Sequence, residues 1–177
     1  MAQTVRTILG SKDFLVTFIR HHTDRTLTLL QPGSPTADYQ LVDASDKNGI
    51  FAMPLIYRVL HQYDGAGISG MVHFMYFNLS ADDTKVFFAT ANKVLGNCAN
   101  IYGLNQTYLM QKQDARIQFV VVTCWDNDAD FYDWKQSKEF APLADFVARS
   151  ADTQGYHETT YRIVSPSEYD QPAPEEA

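Results

Sequence analysis

The chain has 177 residues, 45% of them hydrophobic and 20% charged, enough for one domain with a real core, or for a domain with a smaller partner. Its net charge is −7, and Glu168, Asp170, Glu175 and Glu176 in the last ten residues supply four of those negatives. There is no basic stripe, no apolar run of membrane length and no secretory leader pattern, so no nucleic-acid or membrane partner is expected, and a cytoplasmic protein is.

Taken in order, Thr4 to Leu9 is β-prone and stops at the turn pair Gly10-Ser11. Phe14 to Ile19 and Thr26 to Leu30 read as two more strands, with His21-His22-Thr23-Asp24 as a polar turn between them. Pro32-Gly33-Ser34-Pro35 is punctuated as a loop, and Tyr39 to Val42 follows as a short strand. Pro54 opens a predicted helix through Tyr63, because Leu55-Ile56, Val59-Leu60 and Tyr63 fall on one helical stripe. The glycine-rich run from Asp64 to Gly70 marks an internal boundary.

Beyond it, Met71 to Asn78 is an apolar strand. Ser80, with Asp83 three residues on, signals a helix start. The stripe Val86-Phe87, Thr90-Ala91, Val94-Leu95 continues that helix to Gly96. Strands are expected at Ile101 to Met110, Ile117 to Trp125 and Thr159 to Val164. A helix carries Trp134, and Pro142 marks a break or a new first turn. The sequence from residue 71 thus runs strand, helix, strand, strand, helix, strand, the ferredoxin-like arrangement. Such a sheet leaves one apolar face bare. A second sheet must cover it, from another copy of the chain or from the N-terminal region. Residues 165–177, with three prolines and no Lys or Arg, are expected to be a disordered acidic tail.

Chemistry-bearing residues are few. Cys98 and Cys124 show no C-x-x-C and no metal-ligand spacing, so they are expected as buried thiols in a reducing compartment, with no metal site. His73 lies within an apolar strand and shares a face with Met71, Met75 and Phe77. An imidazole there binds a metal or heme iron, moves a proton or, more commonly, is hydrogen-bonded to its neighbours. His157 stands beside Glu158 and is expected to be solvated or paired with a carboxylate. Trp134 either packs into the core, the commoner fate of its residue type, or walls a cavity. No nucleotide, zinc-protease or serine-hydrolase motif occurs. Asp126, Asp128, Asp130 and Asp133 lack the glycine and closing glutamate of a calcium loop, and suit a helix N-terminus better.

The stretch from Cys124-Trp125 through Asp133-Trp134-Lys135-Gln136-Ser137 to Phe140 resembles the strand–helix signature of the antibiotic biosynthesis monooxygenase (ABM) superfamily. Gly10 to Thr17, Leu27 to Gln31 and Met53 to Val59 are similar to segments of a longer subgroup. That subgroup holds two-region heme-degrading monooxygenases of Gram-positive bacteria and the related TRAP signalling proteins.

The resemblance covers the chain to residue 164 and implies an α+β fold, ferredoxin-like, of the dimeric α+β barrel type. Residues 1–64 would form a β-rich degenerate partner region and residues 68–164 the ABM domain. The barrel would close across a homodimer or within one chain as a pseudo-dimer. Heme-degrading members carry an Asn on the first strand of this unit, a Trp on its second helix, and an iron-binding His ten residues after the Trp. Trp134 matches the Trp, but the His position falls on Ala144 and the Asn position on Met75.

The expected ligand pocket is therefore Trp134, Met75, His73, Ala144 and Phe140, with no catalytic residue assigned. The implied function is a monooxygenase-like protein with a pocket for a flat aromatic or tetrapyrrole ligand and a degenerate heme-degrading site. No cofactor is required, with heme kept open. The alternative is a non-catalytic protein, TRAP-like and regulatory or stress-associated, or a binder of hydrophobic ligands.

Overall fold

A computed structural model describes residues 2–65, 69–152 and 155–170. The strands are β1 (Thr4–Gly10), β2 (Leu27–Pro32), β3 (Tyr39–Asp43), β4 (Leu55–Asp64), β5 (Met71–Asn78), β6 (Leu104–Lys112), β7 (Gln118–Trp125) and β8 (Tyr156–Ile163). Every pairing is antiparallel, and the strands close into one barrel in the order β1-β3-β2-β8-β5-β7-β6-β4. The barrel is complete within a single chain. Helices α1 (Lys12–His21), α2 (Thr84–Leu95), α3 (Asp128–Lys135) and α4 (Ala141–Asp152) pack on its outside. Among the described residues no helix is long and apolar enough to cross a membrane.

The strand order contains the same pattern twice. β8-β5-β7-β6 and β4-β1-β3-β2 are each fourth, first, third and second strands of a ferredoxin-like unit. The C-terminal unit has helices after its first and third strands. The N-terminal unit has only α1, and residues 44–54 run without a helix where its second would lie.

Strand alternation then divides the apolar residues. Val72 and Phe74 of β5 face the barrel interior with Val5, Tyr57, Tyr108, Val122 and Tyr161. Met75 and Phe77 face outward under α2 and α4 with Phe87, Phe119, Leu143 and Phe146.

Two expected elements change type. Phe14 to Ile19 lies in α1, not in a strand. Ser11 caps that helix, its Oγ accepting from the Phe14 backbone N–H at 3.3 Å, and Leu15 and Val16 are buried against the sheet. The aromatic and β-branched content suggested a strand; the cap and the one-sided burial decide for a helix.

Conversely, the predicted helix from Pro54 to Tyr63 is β4, which seals the barrel between β1 and β6. A bulge between Val59 and His61 explains the misleading pattern. Before it, odd residues such as Tyr57 point inward; after it, odd residues such as Tyr63 point outward to the helix-covered core. One strand with a switched face mimics helical spacing.

Smaller differences are local. The turn Ser80–Asp83 precedes α2, with Ser80 Oγ donating to Asp83 Oδ2 at 3.0 Å, and Asp83 is the cap residue. β6 starts at Leu104 and β8 at Tyr156. Residues 165–170 are ordered: Pro166–Glu168 form a 3-10 turn with a Ser165/Glu168 capping box, and Arg162 pairs with Glu168 at 2.9 Å. The rest of the expected tail, 171–177, and residues 66–68 of the glycine-rich run lie outside the described residues.

Candidate functional site

The joint between β7 and α3 organises the site. Trp125 ends β7 fully buried, and Asn127 caps α3, its Oδ1 accepting from the Asp130 backbone N–H at 3.1 Å. Gly70, with φ +74°, lies so close to this joint that a Cβ there would sit 2.0 Å from the Trp125 carbonyl oxygen. α3 then drops Phe131 and Trp134 onto the sheet, and Phe140 follows. Trp134 lies 5.5 Å from Trp125 and 4.8 Å from Phe140 between ring centroids.

The structure brings the five expected pocket residues into one region. Met75, Trp134 and Phe140 are buried in the outer core, and Ala144 is partly buried against it. His73 is buried beside them, stacked on Phe131 with 3.6 Å between centroids. Its ring is fully engaged. Nε2 donates to Asp128 Oδ1 at 2.8 Å, and Nδ1 accepts from Thr160 Oγ1 at 3.1 Å. Burial pushes the His73 pKa down, with the Asp128 carboxylate opposing.

Asp128, Thr160, Lys135, Glu158 and Tyr156 form a polar seam under α3 that sequence reasoning missed. Lys135 pairs with Glu158, which also accepts from the Tyr156 hydroxyl. Burial and the adjoining carboxylate push the Tyr156 phenol up. Asp128 was legible only as a first-turn acid of α3; its reach to a histidine 55 residues away was not. His157, expected to be solvated or paired with a carboxylate, is solvent-exposed; one face of its ring stacks on Tyr76 at 4.3 Å between centroids, and this partial desolvation lowers its pKa.

These residues do not fit an iron-held heme. Ala144 offers no ligand atom, and His73, the nearest imidazole on that strand face, has both nitrogens occupied. The layer between sheet and helices is also filled with aromatic rings. Phe87 lies 4.8 Å from Phe77, 5.1 Å from Phe119 and 5.3 Å from Phe146.

Two cavities bear on ligand binding. One, inside the barrel, is apolar and about 30 Å³, lined by Val5, Leu30, Phe74, Met110 and Cys124 among others; it is too small for an aromatic ligand. The other is a cleft of about 380 Å³ outside, between α3 and the segment 97–102. Trp134 borders it together with Tyr102, Asn97, Asp130, Asp133 and Glu139. Of the five expected pocket residues, Trp134 is the one that lines this cleft.

No family model matches the chain. A curated relative, a heme-degrading monooxygenase of Listeria monocytogenes, is 25% identical over 153 residues, covering 86% of this chain and 89% of the relative. The crystal structure of a heme-degrading enzyme from Listeria monocytogenes superposes with a TM-score of 0.73 at 22% identity, over 90% of this chain and 99% of that one. A ferredoxin-fold protein related to antibiotic biosynthesis monooxygenases, from Listeria monocytogenes 4b F2365, gives 0.78 at 23% identity, over 93% and 95%. A major regulator of staphylococcal pathogenesis gives 0.77 at 15% identity, over 92% and 100%. The chain is therefore similar in sequence to a heme-degrading monooxygenase and in fold to a protein related to antibiotic biosynthesis monooxygenases.

Proposed function

We propose that this monooxygenase-like protein binds a flat aromatic ligand in the Trp134 cleft and does not cleave heme. The observation that carries the proposal is the split fate of the family signature. Trp134 is kept and forms a wall of a ligand-sized cleft, while Ala144 and Met75 stand where heme cleavage would need a histidine and an asparagine. A tetrapyrrole is disfavoured twice, by the missing axial ligand and by the filled layer under α2 and α4. Oxygenation of an aromatic ligand without iron survives these losses. The likeness to the staphylococcal regulator is one of fold and adds no chemistry. We place the protein in the cytoplasm, in keeping with two unpaired, buried thiols at Cys98 and Cys124.

Hemin titration with a reductant tests the heme half of this reading. The expected result is no saturable Soret band at equimolar ratio and no biliverdin-type product. A stoichiometric complex that turns over would sink it. Oxygen uptake with an anthrone and quinol panel then separates an iron-free oxygenase, which consumes oxygen, from a binder, which does not.

A further inference from the structure

The charge pattern of the Trp134 cleft narrows its ligand class, and this step rests on reading the cleft as the ligand site. Asp130, Asp133 and Glu139 line the cleft, and no Lys, Arg or His does. Among the described residues none of the three carboxylates has an ion-pair partner; Lys135, two residues after Asp133, is engaged by Glu158, and Lys138, which precedes Glu139, does not line the cleft. Asp130 is held in place. Its Oδ2 accepts from Asn127 Nδ2 at 2.8 Å and lies where a Cβ on Gly103 would come within 2.3 Å. Trp134 is only 4% exposed while bordering the cleft, and its indole N–H meets no protein acceptor. Tyr102 stands 87% exposed at the rim.

Three carboxylates without ion-pair partners in one cleft favour positive charge through Coulomb attraction, and the exposed Tyr102 ring at the rim offers a face for a planar cation. No group of three His, Cys, Asp or Glu residues able to hold a metal ion occurs among the described residues. A cation spread over a molecule suits the cleft better than a point ion. We propose that the cleft selects a planar organic cation, such as a protonated or quaternary nitrogen heteroaromatic, and turns away carboxylated ring systems.

The test uses the full chain and three planar probes: cationic acriflavine, neutral anthrone and anionic hemin. Acriflavine is expected to quench tryptophan fluorescence saturably, at least tenfold more tightly than anthrone, with weakening as salt rises. The double variant D133N/E139Q, altering two exposed side chains, should weaken acriflavine about tenfold and leave the melting temperature unchanged. D38N/D82N, which removes the same charge elsewhere, should leave the affinity unchanged.

Equal binding of anthrone and acriflavine, unmoved by D133N/E139Q, overturns the cation inference and leaves the cleft as ligand site. Equal weakening by both double variants also overturns it, showing a general attraction to the acidic chain. Saturable binding of none of the three probes removes the cleft reading as well.

Discussion

At residue scale, His73 is held on every side within the C-terminal unit. It is buried, stacked on Phe131, and bonded at both nitrogens. Its lowered pKa and that of His157 carry a sign. Both folded values lie below the ordinary 6.5, so the unfolded chain takes up more protons as pH falls past that value. Their contribution is complete above about pH 6.5 and is lost below it. Urea midpoints should therefore drop between pH 7.5 and 5.5, and the drop should shrink in H73Q/H157Q. An unchanged pH dependence in the double variant would count against burial as the cause. Ala144 supplies a second test. A144H restores an imidazole, but the rings of Phe77, Phe87, Phe119 and Phe146 still fill the layer, so hemin should still give no equimolar Soret band. A sharp band in A144H would show that only the ligand was missing.

At element scale, the β7–α3 joint depends on close backbone approach and a cap. G70A forces a side chain onto the Trp125 carbonyl and onto a positive φ, which should cost about 2 kcal/mol or more. For a chain of this size that lowers the melting temperature by roughly 4–8 °C. N127A removes the α3 cap and should cost about 1 kcal/mol. Calorimetry checks both, and a neutral G70A would contradict the packing described. The same scale explains what the sequence concealed. In β4 the bulge after Val59 switches the inward face, so its apolar spacing imitates a helix. In α1 the exposed Phe14 (53%) blurs the polar face that would have marked a helix.

At the scale of the molecule, the two ferredoxin-like units are unequal in their outer layers. The C-terminal unit buries a continuous aromatic core under α2 and α4, while the N-terminal unit has α1 and a helix-free segment. Stability should follow that inequality. F87A, at the centre of the aromatic core, should cost about 3–5 kcal/mol in urea unfolding, and I50A, on the helix-free segment and half-buried, clearly less. Equal costs would mean that the N-terminal layer bears as much of the load.

The sequence by itself determined the C-terminal order of strands and helices, the superfamily resemblance and the alanine, Ala144, at the position where that resemblance implies a histidine. Each is written in local periodicity or in one residue's chemistry. Of the residues expected to form a pocket, Trp134, Met75, His73, Ala144 and Phe140, only Trp134 borders the cleft. Only the tertiary structure decided that the barrel closes within one chain, that β4 is a strand, that His73 is held by Asp128 and Thr160, and that the cleft beside Trp134 is acidic. Those features join residues far apart in the chain, and neither the spacing nor the type of a residue records which distant partner it will meet.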